Sequence, residues 1–159
     1  MSLESVRAFL AENAPEIDIL ESPTSSATVA LAAAAFGVLP AEIAKTLGLR
    51  MGERVFLVVT RGDARLDNRK ARETFGGKVK MIDLSEVEAI TGHPVGGVCP
   101  FGLVQKLDVY CDVSLRDFDI VVPAAGSITT AVKISPERMA EITGAAWVDV
   151  CQTPPAEIP

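Results

Sequence analysis

Two features of this chain have residue types and spacing suited to chemistry. The first is Lys45, set in the apolar run Ile43-Ala44-Lys45-Thr46-Leu47. On a strand edge such a side chain is simply solvated. Turned into a cleft, its ammonium is a fixed positive point able to hold a phosphate, a carboxylate or a polarised carbonyl. The second is Gly96-Gly97-Val98-Cys99-Pro100-Phe101-Gly102, with three glycines and a proline in seven residues. Glycine reaches φ values closed to other residues and proline fixes its own. The run therefore predicts a tight loop whose backbone N–H groups can hold an anion or a carbonyl oxygen. Its plain alternative is a connector between a helix and a strand.

Lesser candidates flank these two. In Arg61-Gly62-Asp63-Ala64-Arg65-Leu66-Asp67 the aspartates suit turn and cap chemistry. The functional alternative is an ordered loop at a pocket rim, with Arg65 reaching a phosphate. Gly126-Ser127 is either a second backbone wall of a pocket or a turn. Thr24, Ser25 and Ser26 offer hydroxyls beside an alanine-rich segment that leaves room for a ligand.

Other chemistries lack their residues. There is one histidine, His93, and the three cysteines, Cys99, Cys111 and Cys151, form no CxxC pair. Neither a zinc site nor a disulfide framework is expected, and reduced thiols fit an intracellular protein. Cys99 with His93 six residues upstream is a conceivable nucleophile pair, although a thiol in a tight loop is often structural. No Gly-x-Gly-x-x-Gly follows a first strand, and no glycine-rich run ends in Gly-Lys-Ser/Thr. Dinucleotide binding and ATP hydrolysis are therefore unsupported. No signal peptide or membrane span is visible, so the expectation is a cytoplasmic protein without membrane contact. The net charge of -6 argues against a sequence-independent hold on nucleic acid. Arg61 to Lys80 runs against that balance, with seven bases and three acids. It is a solvated face or a phosphate-facing edge.

The elements that must position these residues follow from periodicity. Ser2 to Asn13 reads as an amphipathic helix, Ile17 to Leu20 as a short strand, and Ser26 to Phe36 as an alanine-rich helix ended by Gly37. Ile43 to Leu49 and Val55 to Thr60 form a hairpin. Asp67 or Asn68 caps a helix to Phe75, and Lys78 to Ile82 is a strand. A helix from Leu84 to Thr91 has Ser85 and Glu88 spaced as a capping box. Strands are expected over Leu103 to Tyr110, Ile120 to Pro123, Thr129 to Ile134 and Trp147 to Val150. Ser135-Pro136 opens a helix to Thr143. Few connections are long enough for parallel crossovers throughout. The expected fold is α/β of the α+β type, a curved, mostly antiparallel, barrel-like mixed sheet with helices outside. One domain over residues 1–153 and a frayed tail over 154–159 complete the expectation.

Taken in order, these pieces resemble the YbaK/prolyl-tRNA editing domain family of aminoacyl-tRNA deacylases. The resemblance runs from Thr24 to Val150. It rests on the small-residue helix after Thr24-Ser25, Ile43 to Leu47, Gly62 to Asp67, Leu84 to Gly92 leading into Gly96 to Gly102, Gly126-Ser127, and Val132-Lys133-Ile134-Ser135-Pro136. It implies hydrolysis of the ester joining a wrongly attached small amino acid to the 3′ end of tRNA, mostly tRNA for proline. By that resemblance Lys45 anchors substrate, and the loop Gly97, Val98, Cys99, Pro100, Phe101 positions water or the carbonyl. Thr24, Ser25, Asp63, Arg65, Gly126 and Ser127 become candidate substrate contacts. No cofactor or metal is implied, Cys99 need not be a nucleophile, and a substrate hydroxyl or thiol assists. The implied partners are the aminoacyl-tRNA end and a synthetase lending tRNA affinity to a free-standing deacylase. The alternative from another class is a non-catalytic module that binds a tRNA end, a nucleotide or a protein.

Overall fold

Most helices begin and end where the sequence places its punctuation. The computed structural model describes residues 2–153; the expected tail at 154–159 lies outside them. The helices are α1 (Ser2–Asn13), α2 (Val29–Phe36), α3 (Asn68–Phe75), α4 (Leu84–Thr91) and α5 (Pro136–Thr143). Side-chain oxygens of Thr28, Asp67 and Ser135 accept from Leu31, Lys70 and Arg138 backbone N–H groups, capping α2, α3 and α5. Four of the five, α2 to α5, stop at glycines in the left-handed conformation, Gly37, Gly76, Gly92 and Gly144. The capping box expected at Ser85 and Glu88 does not form. Asp83 occupies the cap position without a side-chain bond, which puts Ser85 inside the first turn.

The strands are β1 (Leu20–Glu21), β2 (Ile43–Met51), β3 (Arg54–Arg61), β4 (Arg65–Leu66), β5 (Lys80–Met81), β6 (Asp108–Asp112), β7 (Val122–Pro123), β8 (Thr130–Ala131), β9 (Ala146–Val148) and β10 (Cys151–Gln152). The hairpin β2–β3 is the longest pairing, in register from Ala44 opposite Arg61 to Met51 opposite Arg54. The main sheet runs β5-β2-β3-β6-β9, with β7 also beside β2. It is mixed: β2 is antiparallel to β3 and β5, whereas β6 is parallel to both β3 and β9. It does not close into a barrel, and the pairs β1–β8 and β4–β10 stand as separate two-stranded sheets.

Outside the β2–β3 hairpin the expected strands are all shorter than their apolar runs. Leu103 to Leu107 does not join β6, because the Val104 N–H donates back to Thr91 O at the end of α4. The run Thr129 to Ile134 divides its partners. Thr130 and Ala131 pair with β1, and Ile134 bridges Val121. The strand expected at Ile17 to Leu20 is Leu20–Glu21 alone.

Alternation along β3 splits the core in two. Leu57 and Val59 face α1 and α5, packing with Val6, Leu10 and Met139. Phe56 and Val58 face α3, where Phe56, Phe75 and Tyr110 stack with ring centroids 4.7 to 5.7 Å apart. A third cluster joins Ala32 and Ala33 of α2 to Ile43, Val122 and Ala131, fixing α2 beside the start of β2.

Candidate functional site

A cavity of about 240 Å³ opens between α2, β2, α4 and the glycine-rich loop. Small residues make the room: Ala27, Ala32, Ala44, Gly48, Gly96 and Ala131 all line it. Phe36, Ile43, Ile82, Val87, Val98 and Val122 give it a largely apolar wall. Helix α2 is alanine-rich for a geometric reason, since larger side chains facing β2 would fill this space.

Among the described residues, Lys45 is the one charged side chain of the lining. It is half-buried, and its Nζ donates to the carbonyl oxygen of Ala64 at 2.6 Å. Burial pushes its pKa down; Cys151 and Asp63 pull it back up, and Arg65 lowers it further. An ammonium carries three donors, so two remain for a ligand. Asp63 and Arg65 do not line the cavity. Asp63 is engaged with Arg61 at 2.6 and 3.0 Å, and Arg61 also reaches Asp117 at 2.9 Å. This clamp fixes the turn whose Ala64 carbonyl holds Lys45.

Within the glycine-rich loop, Gly96 and Val98 line the cavity and the other members do not. Gly97 N–H donates to Pro94 O, and Gly97 O accepts from Gly126 N–H at 3.1 Å. A Cβ on Gly97 would stand 2.8 Å from the backbone nitrogen of Ser127, so only glycine lets the two loops touch. The structure thereby brings together Gly97, Gly126 and Ser127, which lie far apart in sequence. Ser127 Oγ is 2.7 Å from Thr130 Oγ1, and Thr130 lines the cavity. The backbone N–H groups of Val98 and Cys99 donate to no acceptor among the described residues.

Cys99, Pro100 and Phe101 turn toward the core instead, and all three are buried. Cys99 Sγ lies 3.6 Å from His93 Nε2, so the pair considered from sequence does meet. It meets in the wrong state for a nucleophile. Burial pushes the thiol up to about 12, and both side chains are sealed from solvent. His93 Nε2 is 2.7 Å from the Phe101 carbonyl, which can only accept, and Nδ1 is 2.5 Å from Ser2 Oγ. The imidazole therefore ties the start of α1 to the loop.

Thr24 and Ser25 lie outside the lining. Thr24 Oγ1 is 3.2 Å from Ser22 Oγ, and Ser25 Oγ accepts from Ala27 N–H. Their neighbour Ser26 does line the cavity, with its hydroxyl donating to Ile128 O. Sequence reasoning does not single out Thr46 and Thr130 as lining residues. Their only sequence signals are adjacency to Lys45 and to Ser127.

The basic stretch is partly neutralised. Arg61, Arg69 and Lys70 pair with Asp63, Glu73 and Asp149. Arg65, Arg72, Lys78 and Lys80 are exposed and form no ion pair among the described residues. Also among those residues, no cluster of three or more His, Cys, Asp or Glu could hold a metal, and no helix is long and apolar enough to cross a membrane.

Residues 24–142 match the model of the aminoacyl-tRNA editing domain. YwhH, an uncharacterized protein of Bacillus subtilis (strain 168), is 47% identical over 96% of this chain and 98% of its own length. An Enterococcus faecalis protein named "Putative Cys-tRNA(Pro)/Cys-tRNA(Cys) deacylase EbsC" is 26% identical over 68% of this chain and 74% of its own. The crystal structure of "a putative trans-editing enzyme for prolyl tRNA synthetase" is similar at a TM-score of 0.87 and 29% identity, covering 95% of this chain and 97% of that one. This chain belongs to the aminoacyl-tRNA editing domain family.

Proposed function

We propose that this protein is an aminoacyl-tRNA deacylase that hydrolyses the ester of a small, wrongly attached amino acid at the 3′ end of tRNA, with tRNA for proline as the expected carrier. Family membership and the names borne by the Enterococcus relative and the trans-editing structure support the reaction class. The observation that carries the assignment is a single tethered cation in an apolar cavity bordered by a glycine-rich loop.

Ester hydrolysis needs a water aligned on the carbonyl and donors aimed at the developing oxyanion. In this mechanism Lys45 anchors the terminal phosphate or the ester carbonyl with its two spare donors. The Val98 N–H group supplies a backbone donor, held in place by the Gly97–Gly126 contact. Among the described residues no side-chain carboxylate or imidazole lines the cavity. A hydroxyl of the substrate's own ribose, or the thiol of a cysteinyl group, assists the attack, and the proton lost by the water ends on the freed 3′-oxygen. The apolar wall selects by size, and one methylene in such a pocket is worth about 1–3 kcal/mol. Arg65, Arg72, Lys78 and Lys80 provide the phosphate-facing edge for the tRNA.

The test is release of labelled amino acid from tRNAs charged with alanine, cysteine, serine or proline, comparing the wild type with Lys45→Ala. Hydrolysis of a small aminoacyl ester, lost in the variant, is the expected outcome. If the folded wild type hydrolyses none, the deacylase assignment is overturned and a non-catalytic binding module takes its place.

A further inference from the structure

Thr46 Oγ1 is the one buried side-chain nitrogen or oxygen among the described residues with no hydrogen-bond partner. Thr46 sits on β2 between Lys45 and Leu47, opposite Val59 of β3, and lines the cavity. A hydroxyl sealed this way loses its water without a replacement, and valine has the same shape without that cost. The other hydroxyls of the lining are all engaged within the protein. Ser26 donates to Ile128 O, Thr91 donates to Val87 O, Thr28 caps α2, and Thr130 meets Ser127. The cavity therefore offers a ligand one cation, which only donates, and, among the described lining hydroxyls, only Thr46 has no partner of its own. Its Oγ1 is closed off by the protein around it, and a change of χ1 rotamer turns it to the ligand, where it accepts.

Building on the deacylase assignment, we propose that Thr46 Oγ1 is the receptor for the α-amino group of the aminoacyl ester. The division of labour follows from charge. Lys45 repels an ammonium and attracts carbonyl or phosphate oxygen. An amino group brought into a largely apolar cavity must find an acceptor or forfeit its hydrogen bonds. Thr46 supplies that acceptor, so the site reads the acyl group as an amino acid and not merely as a small acyl chain. This makes Thr46 a specificity-determining residue whose orphan hydroxyl is satisfied by substrate.

The experiment uses the aminoacyl-tRNA that the wild type hydrolyses and its deamino counterpart: propionyl-tRNA for alanyl, 3-mercaptopropionyl-tRNA for cysteinyl. Wild type, Thr46→Val and Thr46→Ser are compared on both esters, with thermal melting of each protein. Thr46→Val is expected to lower kcat/KM on the aminoacyl ester about tenfold. It should change the deamino ester less than twofold and leave Tm equal or higher. Thr46→Ser, which keeps the oxygen, should recover most of the aminoacyl rate. Equal losses on both esters, or a lower Tm accompanying them, would mark Thr46 as packing and overturn the proposal. So would an unchanged aminoacyl rate in Thr46→Val. A wild type inert on every aminoacyl-tRNA removes the deacylase assignment itself, a result distinct from any pattern among the Thr46 variants, and takes this proposal with it.

Discussion

The ammonium of Lys45 is held by the carbonyl oxygen of Ala64 at 2.6 Å, by backbone and not by a carboxylate. A carboxylate partner would neutralise the charge that a phosphate or an oxyanion needs. A carbonyl fixes the Nζ position and leaves the full positive charge available. Lys45→Ala is expected to reduce kcat/KM by a hundredfold or more. Lys45→Arg should not restore it, because a planar guanidinium cannot occupy the same point beside Ala64. Burial lowers the lysine's pKa, so the charged form is lost at lower pH than for an exposed lysine. The rate should therefore fall on the alkaline side before an ordinary lysine would titrate. A pH profile of single-turnover hydrolysis checks this, and a flat alkaline limb would count against a charged Lys45 in the reaction.

Gly97 makes a second, purely steric prediction. A methyl group at this position would lie 2.8 Å from Ser127 N, a backbone atom, so no side chain can swing away to make room. Gly97→Ala must push the two loops apart and break the Gly126 N–H to Gly97 O bond. Overpacking of this kind costs about 1–3 kcal/mol. Activity should fall more steeply than stability, because the displaced segment carries the Val98 N–H group that borders the cavity. Denaturant unfolding and deacylation measured on the same preparation separate the two effects.

The scaffold is legible where one local rule decides the outcome. Ser135-Pro136 and Asp67 announce helix starts, Gly37, Gly76, Gly92 and Gly144 announce ends, and the β2–β3 hairpin follows from two apolar runs around a turn. Strands that depend on a distant partner are not legible. Leu103 to Leu107 has strand-like composition, yet its Val104 N–H is committed to Thr91 O at the end of α4. The site behaves the same way. Lys45 and the loop stand out as residue types, but Thr46 is an ordinary β-branched strand residue until the cavity beside it is known. Asp63 illustrates the converse. Its charge draws attention in sequence, whereas its bonds to Arg61 shape the turn that presents Ala64 O, a backbone atom that no residue type reveals.

Cys99 and His93 separate packing from catalysis. With the thiol pushed up to about 12, almost none is thiolate near neutrality. Cys99→Ala is expected to keep deacylation within about threefold of wild type while losing about 1 kcal/mol of stability to the cavity it leaves. Loss of turnover in a well-folded Cys99→Ala protein would restore the nucleophile alternative. His93 adds a pH dependence to stability. Burial lowers its pKa, opposed by its bond to Phe101. A group depressed in the folded state stabilises above its unfolded value, near 6.5, and that stabilisation disappears as pH falls through the folded value. Tm should therefore decline as pH drops below about 6.5, and His93→Gln should flatten that decline.

The exposed bases provide the last prediction, which concerns affinity and not chemistry. Arg72 on α3, Lys78 after it and Lys80 on β5 lack ion pairs among the described residues, and Met81 beside Lys80 lines the cavity. A band of free cations ending at the cavity mouth suits a phosphate chain whose terminus enters the cavity. Arg72→Gln with Lys78→Gln should raise KM for aminoacyl-tRNA and leave kcat unchanged. Each lost phosphate contact should reduce the dependence of log K on log salt by about one. A short 3′-aminoacyl adenosine substrate, which cannot reach these residues, should be hydrolysed equally by variant and wild type. If the double variant instead lowers kcat on the short substrate, the band acts on the site and not on the tRNA body.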